Sequence, residues 1–355
     1  MSDDVRAELR AVARQLLSGA GAGPGAREPA APGWSALADA GWCGLEVDDA
    51  LGGAGATFAE TTVVVEELAR AAARTPYLGA VALGAGLLLQ LEPSDVRDGL
   101  MRMTASGGVR AAVVARADVG LDPAFTITGR RVTGRADFVP DAHEADRLLL
   151  VAQDEQGTPV VVRVAADALG LVVAPQPVLD ESRRLASVAA DEIVVDAVDV
   201  LRFAGDPFAA VRRMRARAAV TIAADSLGVA EAMLAATVAY AKVREQFGRA
   251  IGSFQAVKHQ CADMLVAVTV GRELLAAAVE ALVGDDPETA RAAARAKAYL
   301  GDAAVEIVGQ ALQLHGGIGY TWESGIHRYL KRAMLNRALF GAPTEHRRRL
   351  AQRFV

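Results

Sequence analysis

The stretch YAKVREQFGRAIGSFQAVKHQ, residues 240–260, sets an arginine, an aromatic, glycines and an amide close together in an otherwise aliphatic chain. Tyr240, Arg244 and Phe247 stand at i, i+4 and i+7, the spacing of one helical face. Arg244 falls in what reads as a last helical turn, where the dipole favours a cation, and its planar fork suits phosphate. Phe247 adds a flat apolar surface. Gly248 ends the helix, and Gln255 enters in the first turn of the next one, which Ser253 can cap. Such a corner can hold a pyrophosphate and a ring. The same spacing also fits an ordinary helix-end arginine beside a core phenylalanine, which is the commoner arrangement. A second segment, QALQLHGGIGYTWESGIHRYLKRA (310–333), ends a long helix at Gln313 and Gly316–Gly317. Glycines there let a ligand approach the backbone, and a helix C-cap is the plain alternative. His315 and His327 have no acidic ligand pattern beside them, so no metal site is expected.

The elements that must position these residues can be read from periodicity. Val5, Leu9, Val12, Leu16 and Leu17 form one stripe and predict a helix over 3–17. The next segment, SGAGAGPGAREPAAPG (18–33), has the alternating glycines of a dinucleotide fingerprint. No strand precedes them and three prolines forbid a following helix, so it reads as a linker. A helix, a loop and a long helix follow, the last opened by Thr57 or by Glu60–Thr61 and ended by Thr75–Pro76. The run YLGAVALGAGLLLQL is too short for a membrane span and reads as a buried helix. From Gly107 to about residue 204, short Val-, Ile- and Thr-rich runs bounded by Gly, Pro and Asp predict strands and hairpins. Long helices return after Asp206–Pro207. One runs to Phe247 and one starts at Ser253. A third has Asp286 as cap and Pro287 at its first position and runs to about Leu314. A last helical segment covers about 344–354. The expected fold is α+β: an N-terminal helical domain (1–106), a central antiparallel β domain (107–204) and a C-terminal four-helix bundle (205–355).

Composition narrows the function. The 355 residues are 52% hydrophobic, enough for a large core, and only 5% aromatic, so Ala, Val and Leu must fill it. The net charge of −5 is interspersed, which points to neither nucleic acid nor a membrane surface. Cys43 and Cys261 lack metal or disulfide spacing and read as reduced thiols of a cytoplasmic protein. The N-terminus lacks the basic start and apolar run of a signal peptide.

Taken together, YAKVREQFGRAIGSFQAVKHQCADM and QLHGGIGYTWESGIHRYLKRA resemble the two C-terminal signatures of the acyl-CoA dehydrogenase family, in the same order and spacing. ALADAGWCGLEVDDALGGAGATFAETTVVVEELAR is similar to that family's early helices. The resemblance covers nearly the whole chain. It implies FAD bound at a subunit interface and α,β-dehydrogenation of an acyl-CoA, in which a carboxylate takes the α-proton. It also implies that Arg244, Phe247 and Gln255 hold the FAD of a neighbouring subunit, while Gln313 and Gly316–Gly317 meet its pyrophosphate–adenosine end.

Elsewhere the sequence departs from that family. VARADVGLD (114–122) lacks the hydroxyls of the usual first β segment, and DFVP (137–140) places Phe138 for the usual Trp and Pro140 for a hydroxyl. The usual carboxylate position in LFGAPTEHRR is Gly341, and the alternative one on the first bundle helix is Ala218, followed by Ala219. Glu345 is the nearby carboxylate. The expectation is therefore a subunit lacking the usual base, completed by a paralogous acyl-CoA dehydrogenase subunit in a hetero-oligomer. The alternatives are a self-sufficient homodimer or homotetramer with an atypical base, and a flavin-free scaffold that only binds a partner.

Overall fold

The structure is a computed structural model that describes residues 3–19, 23–24, 28–117 and 121–352; part of the 18–33 linker and residues 118–120 lie outside them. The N-terminal helices are α1 (Asp3–Gly19), α2 (Trp34–Asp39) and α3 (Phe58–Arg70). Thr57 opens α3 in a capping box: its hydroxyl accepts from the Ala59 N–H at 3.3 Å, and Glu60 Oε2 accepts from the Thr57 N–H at 2.9 Å. The helix stops at Arg70, earlier than Thr75–Pro76 alone required, and Ala72 takes a left-handed φ of +46°. The apolar run that follows is buried, but residues Leu78–Ala85 form a π-helix before α4 (Gly86–Leu88) and α5 (Asp95–Ala105). Gly84 permits this: a Cβ there would stand 2.1 Å from the Ala111 carbonyl oxygen.

Eight strands form the central sheet: β1 (Ala111–Val114), β2 (Phe125–Thr128), β3 (Arg131–Pro140), β4 (Arg147–Gln153), β5 (Pro159–Ala165), β6 (Leu171–Gln176), β7 (Leu185–Val194) and β8 (Val200–Leu201). Their order is β6-β7-β3-β2-β4-β5-β8, with β1 also against β4. The β1–β4 and β2–β4 pairings are parallel, so the sheet is mixed rather than purely antiparallel. The near-continuous Val and Leu of β4 and β5 match strands buried on both faces.

The C-terminal region is α6 (Pro207–Val243), a two-strand hairpin of β9 (Glu245–Gln246) and β10 (Arg249–Ala250), α7 (Gln255–Val283), α8 (Thr289–His315), α9 (Ile326–Ala338) and α10 (Pro343–Ala351). Asp286 caps the turn before α8 by accepting from the Glu288 N–H at 2.7 Å, and the helix begins two residues later than Pro287 suggested. The α6 helix is apolar around most of its circumference, and long enough to cross a membrane. Its most apolar window is 83% buried inside the fold, the mark of a central bundle helix.

One buried charge cluster ties the three regions together. Asp225 on α6 accepts from Arg332 on α9 at 2.6 and 2.8 Å and from Asn336 at 2.7 Å, and it also pairs with Arg183 before β7. Arg332 donates in turn to the Ala73 carbonyl at 2.9 Å. Burial alone would raise the Asp225 carboxyl, but Arg183 and Arg332 hold it far below the usual carboxylate range.

Candidate functional site

The corner after α6 differs from its sequence reading. The helix ends at Val243, and Arg244 turns extended as its cap, with its N–H still on the Tyr240 carbonyl at 2.9 Å. Phe247 is therefore not on the helical face of Tyr240 and Arg244. It forms, with Gly248, the two-residue turn of the β9–β10 hairpin, with φ of +53° and +75°. Positive φ at both central positions is the signature of a type I′ turn, which favours Asn-Gly over Phe-Gly. A phenylalanine forced left-handed at a tip, with 92% of its surface exposed, is costly for an isolated chain. Its ring leans edge-on to Phe254 at 6.2 Å, and the Arg249 guanidinium covers Phe254 from 4.1 Å. Phe254, not Ser253, occupies the cap position of α7, where no side chain caps the helix. Gln255 stands exposed in the first turn of α7. Arg244 is exposed and forms no ion pair with another described residue.

The end of α8 comes to the same corner. The Tyr240 and His315 rings stack at 4.4 Å with 20° between their planes, and His315 Nδ1 sits 2.7 Å from the Ala311 carbonyl. Burial lowers the His315 pKa, against the pull of that carbonyl, which disfavours the charged form of the stacked imidazole. The stack joins the helix end carrying Arg244 to the residue preceding Gly316. Gly316 caps α8 at φ +62°, ψ −145°, a conformation open only to glycine, and nothing lies within 4 Å of a Cβ built on Gly316 or Gly317. Gln313 is exposed one turn back.

These features fit a dinucleotide's phosphate and adenosine end: a free cation, an exposed amide on each helix, a flat aromatic and bare glycine backbone. They form an open surface, with Ile318, Tyr320 and Trp322 also more than half exposed beside Gly317. The β-domain contribution is thinner. Phe138 projects to solvent at φ +58°, its N–H on Gln176 Oε1 at 2.5 Å, and Pro140 ends β3 without a hydroxyl.

The positions at which the resemblance implies a base, 218 and 341, hold small, buried residues. Ala218 is fully buried in a cluster with Met214, Ile222, Leu83, Leu87 and Phe340. Gly341, at φ +98°, is buried, and its carbonyl accepts from Lys297 Nζ at 2.9 Å. Lys297 is itself fully buried, and desolvation brings its ammonium down to about 7. Glu345 lies in the first turn of α10, ion-paired with Arg349.

Among the buried carboxylates that the sequence does not single out, two stand in the packing between regions. Asp225 is one, set in the apolar run of α6 with Glu231 six residues further on. Asp141 is the other: it follows β3 at φ +59° and accepts from the Gly79 N–H at 2.7 Å. Burial raises its carboxyl to about 7, against that N–H and Arg183.

Comparison with known proteins identifies the family. Residues 3–107 match the N-terminal domain of acyl-CoA dehydrogenases and residues 208–355 the C-terminal domain. The chain is 34% identical to acyl-CoA dehydrogenase IpdE2 of Mycobacterium tuberculosis over 318 residues, 89% of this chain and 85% of that protein. It is also similar in structure to the Tcur3481–Tcur3483 steroid ACAD G363A variant, with a TM-score of 0.86, 28% identity and coverage of 98% and 97% of the two chains. The ChsE4–ChsE5 complex from Mycobacterium tuberculosis gives a TM-score of 0.87 at 26% identity, over 100% and 98%. The family is one of FAD-dependent oxidoreductases, and a free cation and bare glycines are what such a cofactor needs. With both terminal domains matched and a relative of this identity along most of its length, the chain belongs to the acyl-CoA dehydrogenase family.

Proposed function

We propose that this chain is the base-less subunit of a hetero-oligomeric, cytoplasmic acyl-CoA dehydrogenase. It completes an interfacial FAD site, and a paralogous subunit brings the carboxylate. The observation that carries this reading is the contrast within one chain: an open, unsatisfied corner at Arg244, Phe247 and Gly316–Gly317, and buried Gly341 and Ala218 where a base would stand.

Bound FAD supplies a hydride acceptor for the substrate's β-carbon. The residues of this chain have positioning roles. Arg244 would donate to a phosphate oxygen, a charge-assisted bond stronger than a neutral one. Gln255 and Gln313 would offer amides to the adenosine–pyrophosphate end, and Gly316–Gly317 would let it lie against the backbone. Phe247 would pack on the ring side and shed its exposed surface. None of these groups can take the α-proton of a thioester, so a carboxylate must come from elsewhere. A bulky acyl group, such as a steroid side chain, suits the reading, because one structural relative is described as a steroid enzyme.

The rival is a self-sufficient enzyme using Glu345, which lies next to the vacated position but is held by Arg349. The deciding experiment expresses the chain alone and with a co-encoded paralogue, then measures flavin content and acyl-CoA-dependent reduction of an electron acceptor. Flavin and turnover only in the co-expressed sample support the reading. Turnover by the single chain would sink it.

A further inference from the structure

Position 341 is more than a lost carboxylate. A Cβ built on Gly341 stands 2.8 Å from His346 Nε2, closer than Cβ atoms come to other groups, and a tight 3.3 Å from its Cδ2. The imidazole is held in place on one side. His346 is 3% exposed, its Nε2 lies 3.0 Å from the Phe340 carbonyl, and its backbone N–H bonds the Ala342 carbonyl at 3.2 Å, while a cavity of about 350 Å³ that Ala219, Ala294 and Phe340 also line borders the ring. The loop is pinned on other sides as well. The Phe340 N–H donates to the Ala117 carbonyl at 2.8 Å, and Lys297 donates to both the Gly341 and Arg337 carbonyls, at 2.9 and 3.2 Å. Pro343 begins α10 against α8, so close that a Cβ on Gly301 would meet its ring at 3.1 Å. Phe340 and Gly341 are both left-handed, at φ +56° and +98°.

We propose that His346 is a plug: its ring fills the space that a side chain at position 341 would enter, so the base position of this subunit is packed shut. A single Gly341→Glu change then does not restore a carboxylate there, because the ring, not only the missing side chain, bars it. The ring is also a poor replacement base. Burial lowers it to about 4, and its Nδ1 has no hydrogen-bond partner among the described residues. The functional consequence rests on 341 being the vacated base position; the steric relation between 341 and 346 stands without it.

A double-mutant cycle on the full-length chain tests this, with the thermal midpoint as readout. Gly341→Ala strains the positive φ in any background, and that cost cancels in the cycle. Contact with His346 is an overpacking cost that exists only while the ring is present. The expected result is a drop of several degrees for Gly341→Ala alone and a clearly smaller drop for the same change in a His346→Ala background. Gly341→Glu should follow the same pattern. Equal drops in both backgrounds, or a Gly341→Glu chain with an unshifted midpoint, would overturn the plug. Should His346→Ala not fold, His346→Ser serves as the small-residue background. No turnover is read, so an error in assigning the base leaves the result intact.

Discussion

The corner at residues 240–255 and 313–317 and the loop at residues 339–346 lie in the same helical region and are finished in opposite ways. The corner leaves Arg244 without an ion pair to another described residue, Phe247 bare and Gly316–Gly317 uncovered. The loop is tied down at three points: Lys297 on a carbonyl, His346 against Gly341, Phe340 bonded to Ala117. An isolated chain gains nothing from the first arrangement, since exposed aromatic surface and a left-handed phenylalanine both cost free energy. On the proposed reading, the second closes a position that this subunit does not use. The difference teaches which half of a shared site this subunit would bring.

The largest effect that could break this contrast is on turnover. In a reconstituted complex, neutralising the paralogue's carboxylate should lower acceptor reduction by roughly 10²–10⁴-fold, the usual worth of a general base. Glu345→Gln in this chain should leave the rate nearly unchanged, and a matching loss from Glu345→Gln would hand the base to this subunit.

Next comes the charge cluster that keeps the closed region solid. Asp225→Ala leaves Arg183 and Arg332 buried without their shared partner, which should cost about 3–5 kcal/mol in a denaturant titration. A loss near zero would mean that water or another acid reaches the two guanidiniums.

A smaller effect should appear on the open side. Arg244→Ala should weaken FAD binding by about 1.5–3 kcal/mol, the range for bonds to charged groups, in a flavin titration of the assembled complex. The unfolding midpoint of the chain without flavin should not move, because Arg244 is exposed and has no ion pair with another described residue to lose. A fall in that midpoint instead would make Arg244 a structural residue.

The last effect is a pH dependence. Asp141 has a folded pKa near 7, above its unfolded value of about 3.9. Its contribution to stability is therefore complete below about pH 4 and is lost as the pH rises towards 7. Asp141→Asn keeps an acceptor for the Gly79 N–H and removes the titration, so thermal midpoints of variant and parent should diverge in the variant's favour between pH 4 and 7. Parallel curves would mean that Asp141 is ionised throughout.

Much of the fold was legible because its signals are local. The capping box at Thr57–Glu60, the Val-rich runs of β4 and β5 and the helical periodicity of α6 each follow from a few neighbouring residues. The parallel pairing of β1 with β4 was not legible, since partner and direction depend on residues far apart in sequence. At the candidate site, residue types were readable and backbone shape was not. REQFG carried the Arg and the Phe, but α6 stops at Val243 and Phe247–Gly248 becomes a hairpin turn, because Ile251 bonds back to the Arg244 carbonyl at 2.7 Å. Nothing in the local spacing distinguishes that from one more helical turn.

By itself the sequence determined which groups this chain owns: an arginine, amides and glycines suited to a dinucleotide, and small residues at positions 218 and 341. Side-chain chemistry is a property of composition and order, so it survives without a fold. Only the tertiary structure decided what those groups meet. The stacking of Tyr240 on His315, the burial that joins Asp225 to two arginines and the ring of His346 against Gly341 all depend on atoms brought together across helices. Contact distances and local dielectric, which fix whether a position is open or shut, exist only once the chain has packed.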